Sequence, residues 1–243
     1  MNDVIALLQG HRSIRKFKPD PVPEAHVREA IASGQMASTS SAVQAYGVIR
    51  VTDRATREQI AELSGPQPKV AECGAFFIFF GDSRRHRLAA ARDGNAYDVR
   101  LESFLVAAID CALFAEKTAI AFQSMGYGIC YIGGIRNDLP KLDRLLELPE
   151  GVYPYFGMCV GVPHEDPAPR PRLPIDAVLF DDRYPSDDAM LAKLKAYDDG
   201  YEAYRVERGS EAARWSEIMG AKYTDARREA LSGYFASKGA RLD

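Results

Sequence analysis

The chain has 243 residues, of which 47% are hydrophobic, so it can build a substantial core in one large domain or two small ones. Its formal net charge of −3 and pI of about 5.9 exclude the basic excess that draws proteins to nucleic acid or anionic lipid. The longest apolar run, from Ala75 to Phe80, is far shorter than the roughly 20 residues that span a bilayer. Four scattered cysteines without a CxxC pair fit a reducing compartment, so we expect a soluble, cytoplasmic protein that is not exported.

Helices and strands are predicted to alternate along about the first 160 residues. Helices are predicted over residues 2–9, 23–34, 56–63, 98–125 and 139–148, and strands over residues 46–51, 76–80, 155–160 and a short segment ending at Gly134. The strand 76–80 is apolar at every position, which predicts a sheet covered on both faces. The segment 98–125 contains no Gly or Pro, which predicts one helix about 42 Å long.

The C-terminal third is predicted to differ from this core. Five prolines between Pro163 and Pro174 predict a stiff, extended connector. Beyond it, residues 187–207 and 221–238 read as amphipathic helices with too little apolar content for a core of their own, so they must pack on something else. A row of small or apolar side chains on the long helix suits close packing against another helix, for example one from a second subunit: Leu105, Ala108, Ala112, Ala115 and Ala119.

Two basic clusters are candidates for binding a phosphate. The first is His11-Arg12-Ser13-Ile14-Arg15, directly after the first predicted helix, and the second is Arg170 and Arg172, which alternate with prolines. Guanidinium, imidazole and hydroxyl groups are the donors that a phosphate dianion needs. Taken alone, the first cluster is as consistent with a solvated surface, and the second is better explained as a surface linker, so their weight comes from occurring together.

Three further segments could contact a flat ligand. The run Ser38 to Ser41 could line a sugar chain or phosphate, although it could also be a simple turn. Gln67, between two prolines, could bind a heterocycle edge with a donor and an acceptor, or be an ordinary loop amide. The glycines between Gly126 and Gly134 would let backbone approach a planar ligand, although a plain strand-to-turn connection explains them as well.

Several common site types are missing from the sequence. A GxGxxG fingerprint, a GxxxxGK[ST] loop and a GxSxG elbow are all absent. His26, His86 and His164 lack metal-ligand spacing, so we expect them to be surface or capping residues and predict no metal site. Electrostatic and stacking groups without an obvious nucleophile or base are typical of an enzyme whose cofactor carries the chemistry.

Taken in order, these motifs resemble the nitroreductase and flavin reductase family, and most closely its NADPH-dependent, oxygen-insensitive branch. The resemblance rests on the basic cluster 11–15, the hydroxyl run, Gln67, Tyr131-Ile132-Gly133-Gly134 and the segment 169–174. It implies an α+β, nitroreductase-like fold with a central, mostly antiparallel sheet flanked by helices. It also implies an FMN-binding homodimer with a core over 1–175 and a helical extension over 176–243 that packs on the partner subunit.

The resemblance also implies roles for individual residues. His11, Arg12 and Ser13, with Arg170 and Arg172, would hold the FMN phosphate. Arg15 would stabilise the anionic reduced flavin, and Gln67 would bind the pyrimidine edge of the ring. Tyr131 to Gly134 would lie around the ring, with Gly133 and Gly134 close to N5. The partner subunit would add Thr39, Ser40 and Ser41; the residues of the first group are Tyr131, Ile132, Gly133 and Gly134.

Substrate residues are implied less directly. Ser41, Arg136 and Arg208 would face NADPH or the acceptor, with Arg208 reading the 2′-phosphate. The chain departs from the family pattern at Arg170, where Lys is common, and at Ala42, where Phe is common, which should widen the pocket over the flavin.

The implied activity is a two-electron, ping-pong hydride transfer from NADPH to FMN and on to a small flat acceptor, such as a nitroaromatic or a quinone. Three alternatives remain open: a flavin reductase that supplies reduced FMN, a flavin-binding sensor without turnover, and a module that binds another phosphate. None of these functions requires nucleic acid or a membrane.

Overall fold

The chain divides into two compact units in the computed structural model, which describes residues 2–242. The first unit contains the described residues up to Pro167 together with those from Arg228 onward, and the second is Ala168–Arg227. The predicted core 1–175 and extension 176–243, whose first and last residues lie outside the described part, stay predictions.

A four-stranded sheet forms the centre of the first unit. Its strands are β1 (Tyr46–Val51), β2 (Ala75–Asp82), β3 (Gly128–Ile132) and β4 (Val152–Gly161). Their order is β1-β2-β4-β3, and every neighbouring pair is antiparallel. The predicted α+β fold with an antiparallel sheet is therefore confirmed. β4 is longer than predicted because it continues through Pro154, where the register between β2 and β4 shifts.

The helices are α1 (Asp3–Gln9), α2 (Glu24–Gln35), α3 (Arg54–Leu63), α4 (Lys69–Glu72), α5 (Arg84–Arg92), α6 (Leu101–Ser124), α7 (Leu139–Leu146), α8 (Asp187–Glu207), α9 (Trp215–Lys222) and α10 (Leu231–Ser237). Local chemistry sets several of their ends. The side chain of Asn2 accepts from the amides of Val4 and Ile5 at the start of α1, and Asp53 accepts from Thr56 at the start of α3.

Both faces of the sheet are covered, as the apolar run in β2 predicts. Phe76 and Ile78 pack into a core with α3, α7 and α10, while Phe77 and Phe79 pack on the opposite face with α2 and α6. All four of these side chains are at most 1% exposed. Alternate residues of one strand therefore anchor two separate cores, which explains why every position from Ala75 to Phe80 is apolar.

The long helix α6 is shorter than predicted and has two different faces. It spans 24 residues, or about 36 Å, because Asp98 accepts hydrogen bonds from the amide and guanidinium of Arg100 and so favours a turn before the helix. Ala115 and Ala119 are buried against α2 within the chain, so these two positions cannot contact a second subunit. The opposite face carries a row of side chains that are 42–57% exposed: Leu101, Leu105, Ile109 and Leu113.

The C-terminal helices depart from the prediction. The single helix expected over 221–238 is wrong, because α9 ends at Lys222 and α10 begins at Leu231, and Arg228 between them has a left-handed φ of 56°. In the second unit, the buried carboxylate of Asp198 accepts from the amide of Ser216 at 2.9 Å, which joins α8 to α9. Among residues 2–242, no helix combines the length and the apolar content that crossing a membrane requires.

Candidate functional site

The first basic cluster lies along the free edge of the sheet, beside β3. The amide of Ile14 donates to the carbonyl of Ile129 at 2.9 Å, and that of Lys18 donates to Val162 at 2.9 Å. Gly128 allows this close approach, because a Cβ at that position would lie 2.5 Å from the side chain of Ile14. These contacts fix the backbone of the basic segment, which we define as residues 11–16.

The donors of the basic segment already bind carboxylate oxygens. The amides of Arg15 and Lys16 both donate to one oxygen of Glu165, at 2.5 and 3.1 Å. The guanidinium of Arg12 forms an ion pair with Asp166, whose side chain is 81% exposed. Two backbone amides and a guanidinium that bind oxyanions in this way form an arrangement suited to a phosphate. Neither Glu165 nor Asp166 is expected from the sequence, since each lies about 150 residues from its partner.

His11 and Ser13 flank these donors. Nδ1 of His11 lies 3.0 Å from Nε2 of Gln123, near the end of α6, so Gln123 donates and the imidazole proton is left on Nε2. The carbonyl of Ser13 accepts a weak hydrogen bond from Arg15 at 3.4 Å. Arg12, Ile14 and Gln123 help to line a cavity of about 190 Å³ at this edge. The first predicted phosphate cluster is thus assembled in one place.

Gln67 and Gly134, two of the predicted site residues, lie against each other. Nε2 of Gln67 donates to the carbonyl of Ser64 at 2.6 Å, and its backbone amide donates to Ala61 at 3.0 Å. A Cβ on Gly134 would lie 2.5 Å from Nε2 of Gln67 and closer still to the carbonyl of Ser64. Glycine at 134 therefore lets this turn approach the Gln67 loop, and the carbonyl oxygen of the Gln67 side chain makes no hydrogen bond within the described chain.

Cys130 on β3 connects the basic segment with the Gln67 loop. Burial raises the pKa of its thiol, and the positive charges of Arg15 and Lys69 oppose that rise. β3 pairs at Ile129 with the amide of Ile14, the residue before Arg15. The turn that follows β3 packs at Gly134 on Gln67, so the basic segment and the Gln67 loop both adjoin this strand or its end.

The residues after Cys130 contribute in different ways. Burial raises the pKa of Tyr131, whose hydroxyl remains protonated and donates to Glu116 at 3.1 Å. Ile132 is 1% exposed, so only its backbone can face a ligand. Gly133 begins a short 3-10 turn, and a Cβ there would lie 3.1 Å from the guanidinium of Arg136, which donates to the carbonyl of Tyr155.

The hydroxyl loop, defined as residues 39–45, has an unusual backbone. Ser41, Ala42 and Gln44 have φ angles of 45°, 58° and 53°, in the left-handed region that favours glycine. Each such residue costs about 1–3 kcal/mol and persists only when its surroundings impose it. Ser40 and Ser41 are exposed, and Thr39 is half-buried. The loop is therefore ordered by contacts outside itself.

The remaining predicted site residues belong to the second unit. Arg170 and Arg172 are exposed, and their charges oppose the rise that burial causes in the pKa of Tyr197, whose hydroxyl donates to Pro171 at 2.9 Å. The guanidinium of Arg208 lies 5.7 Å from the ring centroid of Tyr204. Their assignment to FMN and NADPH stays a prediction.

Comparison with known protein families agrees with this fold and with the order of its motifs. Residues 8–162 match the model of the nitroreductase family, and residues 170–243 match that family's C-terminal domain. The chain belongs to the nitroreductase family. The family resemblance predicted from the sequence is thereby confirmed, and the chain is an enzyme of this oxidoreductase family.

Individual relatives cover most of the nitroreductase chain. An NADPH-dependent oxidoreductase of Staphylococcus aureus is 41% identical over 223 residues, with 88% of each protein covered. The structure of the NfrA1 nitroreductase from B. subtilis is 37% identical with a TM-score of 0.95, covering 98% of this chain and 99% of that one. An NADPH:FMN oxidoreductase from Vibrio harveyi, solved in complex with NAD+, is 33% identical with a TM-score of 0.90, covering 98% and 99% of the two chains.

Proposed function

We propose that this nitroreductase-family enzyme binds FMN and uses NADPH to reduce nitroaromatics, quinones or similar flat acceptors. The observation that carries the proposal is that β3 joins the predicted flavin contacts: the segment with Arg15 pairs with this strand at Ile129, and the turn at Gly134, directly after the strand, packs on Gln67. The Staphylococcus and Vibrio relatives named above, with NADPH and FMN in their names, support the same electron donor and cofactor.

The residues present fit FMN in two respects. The turn at Gly134 packs so tightly on the Gln67 loop that a Cβ at 134 would force them apart. The side-chain NH₂ of Gln67 donates to Ser64, so its side-chain carbonyl oxygen stays available for the edge of the flavin ring. The basic segment offers amides and a guanidinium that already bind oxyanions, and the FMN phosphate is an oxyanion. Bound there, FMN would supply the hydride-transfer chemistry that links NADPH to the acceptor.

The chain's own groups would bind and orient. In the proposal His11, Arg12 and Ser13 hold the phosphate, and the sequence adds Arg170 and Arg172 to that role. Arg15 supplies a fixed positive charge, which stabilises negative charge that develops during the reaction. Arg136, Ser41 and Arg208 are proposed to contact NADPH or the acceptor. None of these residues needs to transfer a proton.

A homodimer forms part of the proposal. The exposed row Leu101, Leu105, Ile109 and Leu113 on α6 is an apolar surface of the kind that a second subunit covers. Asp110, the next residue after Ile109, binds the hydroxyl loop. A dimer formed through this face of α6 would therefore bring Thr39, Ser40 and Ser41 of one subunit towards the flavin of the other. The cytoplasmic location stays a prediction.

Purified protein provides the direct test. The expected result is a yellow protein that releases FMN on denaturation, is bleached anaerobically by NADPH, and regains its colour when a nitroaromatic or a quinone is added. Protein that contains no flavin and cannot be reconstituted with FMN would refute the proposal. Protein that contains FMN but is not bleached by NADPH would be the flavin-binding sensor instead.

A flavin reductase is the second candidate, favoured by the similarity to the NADPH:FMN oxidoreductase of Vibrio harveyi. The two candidates differ in the preferred acceptor. Comparing kcat/KM for free FMN with kcat/KM for a nitroaromatic and a quinone separates them, and a clear preference for free FMN would establish the reductase.

A further inference from the structure

The hydroxyl loop holds a conformation that its own residues disfavour. Three of its residues that are not glycine, Ser41, Ala42 and Gln44, have positive φ angles. Within the loop, the amide of Val43 donates to the carbonyl of Ser40 at 2.8 Å, and Ser40–Ala42 form a single 3-10 turn. A single short turn does not offset the strain of three such residues, so groups from the rest of the unit must hold them.

Asp110 binds the two ends of this loop. Its carboxylate is 1% exposed, and one oxygen accepts from the amide of Ser40 while the other accepts from the amide of Ala45, both at 3.1 Å. Each oxygen is thus committed to a different amide, five residues apart in the chain. In the sequence, apolar residues of α6 flank Asp110 on both sides, which is the signal of a buried acid that needs hydrogen-bond partners.

His86 and Arg85, on α5, bind the loop from the other side. Nε2 of His86 lies 2.7 Å from the carbonyl of Val43, and its Nδ1 lies 3.2 Å from the carbonyl of Asp82. The guanidinium of Arg85 donates to the carbonyl of Gln44 at 3.4 Å. Amides at the two ends of the loop are therefore bound from α6, and carbonyls in its middle are bound from α5.

We propose that Asp110 and His86 are positioning residues of the enzyme, which hold the hydroxyl loop in the strained form that presents Thr39, Ser40 and Ser41 to the flavin and the acceptor. Asp110 fixes the two ends of the loop, and His86 fixes its middle. This inference rests on the proposed function, because that function gives the three hydroxyl residues their ligand. Neither positioning residue touches the ligand in this scheme.

The first test measures the loop itself, without turnover. Asp110→Asn keeps the shape of the side chain but places an NH₂ group against one of the two backbone amides, so that two donors face each other. We expect hydrogen exchange of the Ser40 and Ala45 amides to become about tenfold faster, with β1 and β2 unaffected. Asp53→Asn is the matched control, because asparagine also caps a helix and α3 lies outside the loop. Unchanged exchange in Asp110→Asn would overturn the proposal.

The second test measures function. His86→Ala removes a half-buried side chain outside both cores, so the variant should fold even if Asp110→Asn does not. We expect either variant to raise KM for the acceptor and the Kd for FMN by about five- to tenfold, with a much smaller change in kcat at saturation. Wild-type values of KM and Kd in a folded variant with faster exchange would also overturn the proposal. Absence of FMN from the wild-type protein would instead refute the proposed function, which the exchange measurement does not depend on.

Discussion

The contact between Gly134 and the Gln67 loop gives the sharpest test of the proposed flavin site. In Gly134→Ala the new Cβ would lie 2.5 Å from Nε2 of Gln67 and even nearer the carbonyl of Ser64. The Ser64 carbonyl is backbone, so the turn and the loop must separate rather than a side chain simply rotating. Such overpacking costs about 1–3 kcal/mol of folding free energy, which for a chain of this length lowers Tm by about 2–12 °C. The hydrogen bond from Gln67 to Ser64 should be lost in the same movement.

The assay combines thermal unfolding of the apoprotein with titration of FMN by flavin fluorescence. Gly134→Ala should lower Tm and raise the Kd for FMN at least tenfold, about what one lost hydrogen bond to the ring edge and a displaced loop would cost. Gly133→Ala is the control for stability. Its Cβ would lie 3.1 Å from the end of the flexible Arg136 side chain, so Tm should change by less than in Gly134→Ala. A Gly134→Ala protein with unchanged Tm and FMN affinity would refute the reasoning.

Three further predictions concern charge. Arg15→Ala should lower the rate of flavin reduction by NADPH by about 10- to 150-fold and weaken FMN binding less. Arg172→Ala should weaken FMN binding by a similar factor and lower the reduction rate less. Equal effects of either variant on both quantities would contradict the separate roles. Asp166→Asn should strengthen FMN binding by up to about fivefold, since an exposed carboxylate no longer competes for Arg12, and weaker binding in an equilibrium titration would argue against a phosphate there. Arg208→Ala should reduce the ratio of kcat/KM for NADPH to that for NADH by about tenfold, and an unchanged ratio would remove this residue from NADPH recognition.

The sequence predicts the parts of the fold whose cause is local. The apolar run of β2 shows which segment is covered on both sides, and Asn2 marks the start of α1 through its own side chain. The predicted N-terminus of α6 was wrong because Asp98 forms a short turn with Arg100 instead of continuing the helix. The absence of Gly and Pro, on which that prediction rested, does not distinguish such a turn from helix. The single helix predicted over 221–238 was wrong because the polar segment before Leu231 lacks the apolar periodicity that a buried helix needs.

The candidate site could be predicted as a set of residue types but not as a set of contacts. Arg12, Arg15 and Gln67 were identified because their functional groups suit a phosphate or a heterocycle. Glu165, which binds the amides of Arg15 and Lys16, follows β4 and reaches the basic segment only through the antiparallel pairing of distant strands. Contacts of this kind depend on topology, which a single sequence does not supply.

The edge position of β3 connects the stability of the sheet with occupancy of the site. An edge strand exposes unpaired backbone groups, and here the amide of Ile14 covers one of them by donating to Ile129. The same residue positions the neighbouring donors of the basic segment, so a phosphate bound there should hold this edge closed. Binding stabilises the folded state by about 2.7 kcal/mol when FMN is at 100 times its Kd. We therefore expect FMN to slow hydrogen exchange of the Ile14 and Lys18 amides more than that of amides in α7, measured on the apoprotein with and without FMN. Equal slowing throughout the first unit would mean that the ligand stabilises global folding alone and that the edge has no special connection with the site.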